Sequence, residues 1–134
     1  MAIQFSVAVR NARLDVVETT IGASPKLRIL TGAKPADCAA AQTGTQLVEV
    51  TCPADWLNAA SGGQKTLAGA WTATAGASGT AGYYRITDSS GTVCHEQGTI
   101  TATGGGGDMT VDNTSIANGQ TVTVTTKTFT EGNA

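Results

Sequence analysis

Apolar and polar positions follow two different rhythms along this chain, and the change comes near Gly22. From Ser6 to Ile21 the apolar residues Val7, Leu14, Val17 and Ile21 recur at helical spacing on one side. Arg10, Arg13, Asp15 and Glu18 are distributed around the rest of that cylinder. Ser6 supplies an N-cap and Gly22 a left-handed stop, so one amphipathic helix is predicted between them. Val9 and Val16 widen the apolar face, which predicts burial on more than one side. If fully buried, the stripe contributes on the order of 6–12 kcal/mol before entropy, at about 1.5–3 kcal/mol per side chain.

Beyond Ser24-Pro25 the period shortens to that of strands. Lys26 to Thr31, Gln46 to Cys52, a stretch within Lys65 to Ala75, and Gly82 to Asp88 each read as extended, with breaks at Pro35, Pro53, Ser61-Gly62-Gly63 and Gly76 to Gly79. Ala39 to Ala41 are compatible with a short helical turn. Asp88-Ser89-Ser90-Gly91 is a turn that returns the chain as Thr92 to Gly98, and Thr99 to Thr103 continues or restarts the strand. Gly104 to Gly107 read as a flexible loop, Met109 to Val111 as a short strand, Asn118-Gly119 as a turn and Gln120 to Thr130 as the last strand.

About eight strands joined by short polar turns predict a mainly β chain. The expected architecture is an antiparallel β-sandwich, jelly-roll or immunoglobulin-like, behind an N-terminal α-helix. At 134 residues the chain fits one domain, 1–134, with an N-terminal segment and helix over 1–22 and the sandwich over 23–134.

Composition narrows the function. A net charge of −2 with scattered Lys and Arg argues against a nucleic-acid partner. No apolar stretch approaches the roughly twenty residues that span a bilayer, so no membrane partner is expected. The N-terminus shows no basic segment leading into an apolar signal core, so the chain is expected to stay where it is made. Charged residues make up 13% and aromatics 4%, a sparsely charged surface that suits packing against other chains, a homo-oligomer included. Cys38, Cys52 and Cys94 are an odd set without close spacing and read as small apolar residues of a reducing compartment.

Candidate chemistry is thin. Cys94-His95-Glu96 offers three ligand types, but neighbouring strand residues point to opposite faces, so neither a zinc site nor a Cys-His nucleophile is predicted. His95 reads as a half-exposed strand residue. Asp108 and Asp112 lack the aromatic groove of a sugar-cleaving carboxylate pair. The glycine run lacks the Lys and Ser or Thr of a phosphate loop, and Asn113-Thr114-Ser115 reads as a turn. No catalytic residue, cofactor or metal is predicted, and the chain is not expected to be an enzyme. Trp71 reads as core and Trp56, between Asp55 and Leu57, as a surface anchor.

Three blocks carry a resemblance: Val9-Arg10-Asn11-Ala12-Arg13-Leu14-Asp15 with Thr31-Gly32-Ala33-Lys34-Pro35; Gly79 to Ile86 with the Asp88 to Gly91 turn; and Asp112 to Gln120 with the Thr-rich last strand. With them the chain resembles small virion structural proteins of tailed bacteriophages and prophages, similar in build to capsid decoration or cement proteins. The resemblance implies a non-enzymatic particle component made in the host bacterial cytoplasm and located in the virion. Its partners would be the major capsid protein or other virion proteins, and it would bind and stabilise the assembled head. The residues expected at that interface are Phe5, Val7, Leu14, Val17, Ile21 and Trp56, with the segment Met1 to Phe5 reaching a neighbour. The alternative is a tail- or fibre-associated module that binds receptor glycans through Trp56, Tyr83 and the glycine loops.

Overall fold

A computed structural model of the chain describes residues 3–132. One helix, α1 (Val7–Ile21), precedes nine strands: β1 (Lys26–Thr31), β2 (Gln46–Thr51), β3 (Gln64–Thr66), β4 (Thr72–Thr74), β5 (Gly79–Thr87), β6 (Cys94–Ala102), β7 (Met109–Val111), β8 (Ser115–Ile116) and β9 (Thr121–Thr130). The helix has the expected ends. The Ser6 hydroxyl accepts from the Val9 N–H at 3.2 Å, and Gly22 turns out of the helix with a φ of 89°.

The strands form one mixed sheet in the order β2-β1-β5-β6-β7-β9-β3, with β4 also on β9 and β8 on β5. It curls until β4 and β2 lie beside each other, where the Gly76 N–H donates to the Leu47 carbonyl at 2.9 Å. The expectation of a mainly β chain behind an N-terminal helix holds at this level. The all-antiparallel pattern does not, because β6 and β7 pair in parallel.

That parallel step corrects the reading of the glycine run. Residues 103–108 reverse the chain and lay it back along β6, crossing directly over Thr101. A Cβ on Gly105 would lie 2.7 Å from Thr101 Cβ, and one on Gly107 2.9 Å from the Thr101 backbone nitrogen. The run is a close-packed return, and the Gly107 N–H donates to the Thr101 hydroxyl at 3.0 Å.

The single strand expected within Lys65 to Ala75 is two, β3 and β4, which sit end to end along the same edge of β9. A register shift in β9 leaves Thr125 unpaired between Val111↔Val124 and Thr110↔Thr126. It flips the alternation, so Val122 and Val124 are buried at even positions and Lys127 and Phe129 at odd ones.

The core is one cluster. Leu27, Ile29, Val50, Tyr84, Ile86 and Ile100 from the sheet join Trp56, Trp71 and Phe129, with Leu14 and Ile21 contributed by the helix. Val17 packs against its edge. Val9 and Val16 are exposed instead of buried, because α1 lies on the sheet surface and presents only one side to it.

Candidate functional site

The expected interface residues divide sharply once placed. Phe5 and Val7 are exposed, at 42% and 45%. Met1 and Ala2 of the segment before them lie outside the described residues. Leu14 and Ile21 are buried inside the domain and Val17 is half-buried against it, so the stripe serves the chain's own core.

Trp56 is not a surface anchor. It is 1% exposed, donates from its indole nitrogen to the Gly22 carbonyl at 3.0 Å and meets Phe129 edge to face with centroids 5.9 Å apart. The ring seals the exit of the helix, which the adjacent Asp55 and nearby Pro53 concealed. Tyr83 is equally unavailable to a glycan: it is fully buried, and its hydroxyl donates to the Thr43 carbonyl.

The cysteine reading holds for Cys52 and is overturned for Cys38 and Cys94. Cys38 and Cys94 form a disulfide with Cα atoms 5.3 Å apart, and Cys52 is a free, buried thiol. The bond ties the β1–β2 connection, residues 32–45, across the outer face of β1, β5 and β6. Arg85 donates to the carbonyls of Asp37 at 3.2 Å and Ala40 at 2.8 Å, and Gln97 to the Pro35 carbonyl at 2.7 Å. Beneath residues 38–42 lies a cavity of about 270 Å³ bordered by Arg28, Arg85, Thr87, Thr92 and the disulfide. Glu49 meets Arg28 at 2.9 Å and Lys26 at 3.4 Å. The Arg28 hydrogen bond leads in holding its carboxyl below the ordinary value, against the opposing effect of burial.

A second polar cluster lies on the inner face. Lys127 donates to Glu96 at 2.6 Å and sits 4.1 Å above the Phe129 ring, and the Tyr84 hydroxyl donates to the same Glu96 oxygen. Burial first, then Glu96 and Asp108, push the Tyr84 pKa up, so its phenol is neither base nor nucleophile near neutrality. Asp108 accepts from the Thr99 N–H at 2.9 Å, the leading cause of its lowered pKa. This cluster braces β5, β6 and β9.

Asp112 accepts from the Thr123 N–H at 3.2 Å and takes part in a turn. His95 is the extra residue where β6 slips against β5, between Ile86↔Glu96 and Thr87↔Cys94. It faces a groove lined by Val16, Val17, Thr20 and Ile21. Among the described residues no group of three or more His, Cys, Asp or Glu is placed to hold a metal ion, and no helix is long and apolar enough to cross a membrane.

The charged residues of α1 turn away from its outer face. Arg13 pairs with Glu131 at 2.9 Å, and Arg10 donates to the Glu131 carbonyl at 3.4 Å. Asp15 and Glu18 both reach the buried Lys65, at 2.9 and 2.7 Å. What remains outward is Val9, Ala12 and Val16, the last 62% exposed; Val7, on the Leu14 side, and Phe5, whose ring lies 5.2 Å from the Arg13 guanidinium, are exposed near the start of the helix. Val9 and Val16, seven apart, were read as a widening of the buried face; they mark instead a second apolar side that is exposed. No family model, no curated protein and no solved structure matches the chain.

Proposed function

We propose that the chain is a non-enzymatic bacteriophage virion structural protein, a capsid decoration or cement protein that binds the assembled head through the outer face of α1 and the segment before it. The observation that carries this is the direction of the helix charges. Arg10, Arg13, Asp15 and Glu18 are all engaged by the chain's own Glu131 and Lys65, which leaves Val9 and Val16 as an exposed apolar ridge on the outer face, with Val7 and Phe5, the latter under the Arg13 guanidinium, exposed near its start. Such a ridge binds by apolar burial and shape, with little dependence on salt. A protein that binds only the assembled shell stabilises it by mass action at every occupied site.

The curled sheet stands, on this reading, where the sandwich of a jelly-roll or immunoglobulin-like module would. The Cys38–Cys94 bond supports a particle that leaves the reducing cytoplasm, since disulfides persist on virion surfaces. The tail- or fibre-associated glycan reader has less support, because both of its aromatic platforms, Trp56 and Tyr83, are buried.

The test is incorporation of variants into particles lacking the native protein. Val16→Asp should leave the melting temperature within a few degrees of the parent, as exposed substitutions usually shift stability by about 0.5 kcal/mol or less, and should abolish incorporation. Parental incorporation of Val16→Asp and of Val9→Asp, or absence of the protein from purified virions, would sink the reading.

A further inference from the structure

We propose that the cavity roofed by residues 38–42 binds a small phosphate-bearing molecule, with Arg28 and Arg85 as its cationic floor. The two arginines stand directly opposite each other across the β1–β5 pairing. Like charges in that position repel, so their placement needs a compensating anion. Protein carboxylates supply only part of it. Glu49 is shared between Arg28 and Lys26, and Arg85, itself only 5% exposed, is met by neutral oxygens: Gln97 Oε1 and the Asp37 and Ala40 carbonyls.

Two other carboxylates lie nearby, and both are committed to their own turns. Asp37 accepts from the Ala40 N–H at 2.9 Å. Asp88 accepts from the Ser90 hydroxyl at 2.9 Å and the Thr92 N–H at 3.0 Å. Asp37 and Asp88 keep their charges in those turns but pair with no cation of the floor, so Glu49 alone meets Arg28 and Lys26 and no carboxylate meets Arg85. A phosphate monoester carries about −1.5 to −2 near neutrality and offers three acceptor oxygens, enough to meet two guanidinium groups at once.

Geometry agrees with charge. Planar guanidinium groups suit phosphate oxygens, and Thr87, Thr92 and Gln42 add polar groups to the lining. A volume of about 270 Å³ admits phosphate with a small organic substituent and little more. The Cys38–Cys94 bond holds the roof at its place over the floor.

The experiment uses the oxidised full-length chain, titrated with inorganic phosphate and with glycerol 1-phosphate against sodium chloride of equal ionic strength. The readouts are melting temperature and amide chemical shifts. A saturable stabilisation absent in chloride is expected, with shifts centred on Ala40, Gln42, Gly91 and Thr92. Arg28→Gln is expected to weaken binding at least tenfold, and Thr92→Val several-fold. If Arg28→Gln does not fold, the amide map of the parent chain decides. The site is overturned by stabilisation no greater than in chloride, by shifts located elsewhere, or by binding indifferent to both substitutions. A phosphoserine peptide that binds as tightly as glycerol 1-phosphate would overturn the small-molecule assignment.

Discussion

The sheet formed by β2, β1, β5 and β6 is covered on both faces, and the two covers are held by different forces. On the inner face Leu27, Ile29, Tyr84 and Ile86 belong to the cluster that includes Trp56, Trp71 and, from the helix, Leu14 and Ile21. On the outer face Arg28, Tyr83, Arg85 and Gln97 lie under residues 32–45, which are fastened by hydrogen bonds and one disulfide. Apolar burial generates its own free energy, while each hydrogen bond exchanged for one with water gains only about 0.5–1.5 kcal/mol. A polar cover built from small residues such as Ala39, Ala40 and Ala41 therefore needs a tether. The helix is seated by Leu14 and Ile21 in the core and fastened without a covalent bond, by ion pairs to Lys65 and Glu131.

The difference can be broken from the helix side first. Leu14→Asp removes a buried leucine, a change that costs about 2–5 kcal/mol as a truncation alone, and leaves an unpaired carboxylate in the core. The expected outcome is a chain without native near-ultraviolet circular dichroism at 25 °C. A variant that melts like the parent would show that the helix is an appendage instead of a cover.

The tether comes next. Replacing Cys38 and Cys94 together by Ser opens a loop with a sequence separation of 56 residues. Chain entropy sets the loss at about 4 kcal/mol, near the top of the usual 2–4 kcal/mol. Hydrogen exchange should quicken most in residues 36–45, with the inner-face strands losing protection only through the fall in global stability. Equal additional loss on both faces would mean that the covers are not independent.

The smallest effect is a difference in pH response. Burial would lower the Lys65 pKa, but hydrogen bonds from its ammonium to Glu18 and Asp15 outweigh that and raise it. A raised folded pKa gives stability that is complete below the unfolded value and fades as pH climbs through the folded one, so the helix cover weakens on the alkaline side. Glu49 has a lowered folded pKa, so its contribution is present above the unfolded value and is lost as pH falls through the folded one. Thermal melts of Lys65→Met and Glu49→Gln across pH should flatten the alkaline and acid limbs respectively. Limbs unchanged in both variants would remove the electrostatic part of the comparison.

The inner cover was legible in the residues and the outer one was not. Ser6 and Gly22 bounded the helix, Lys26 to Thr31 and the Asp88–Gly91 turn were read in place, and the spacing of Leu14 and Ile21 identified the buried side. β5 is buried on both faces, so Tyr83, offered as a glycan platform, lies with Arg85 beneath a loop. Nothing in the spacing of Cys38 and Cys94 announces their contact, which depends on how residues 32–45 fold back. Trp56 was misjudged because Pro53 and Asp55 before it suggest a surface loop while its neighbours in space are Trp71 and Phe129. The arginine cavity was invisible for a further reason: Arg28 and Arg85 meet only through strand register.

Cys52 gives the molecule an order of assembly. In the folded chain its thiol is buried and its pKa is pushed up to about 12 by desolvation, which withholds the attacking thiolate at neutral pH. In the unfolded chain all three thiols are ordinary, and Cys38 has Cys52 as a much nearer neighbour along the chain than Cys94. Loop closure favours the nearer pair. Oxidation ahead of folding therefore joins Cys38 to Cys52, an outcome that peptide mapping after oxidation in denaturant would reveal. Burial of Cys52 removes that competitor, so oxidation after refolding should yield the Cys38–Cys94 bond where oxidation in denaturant does not.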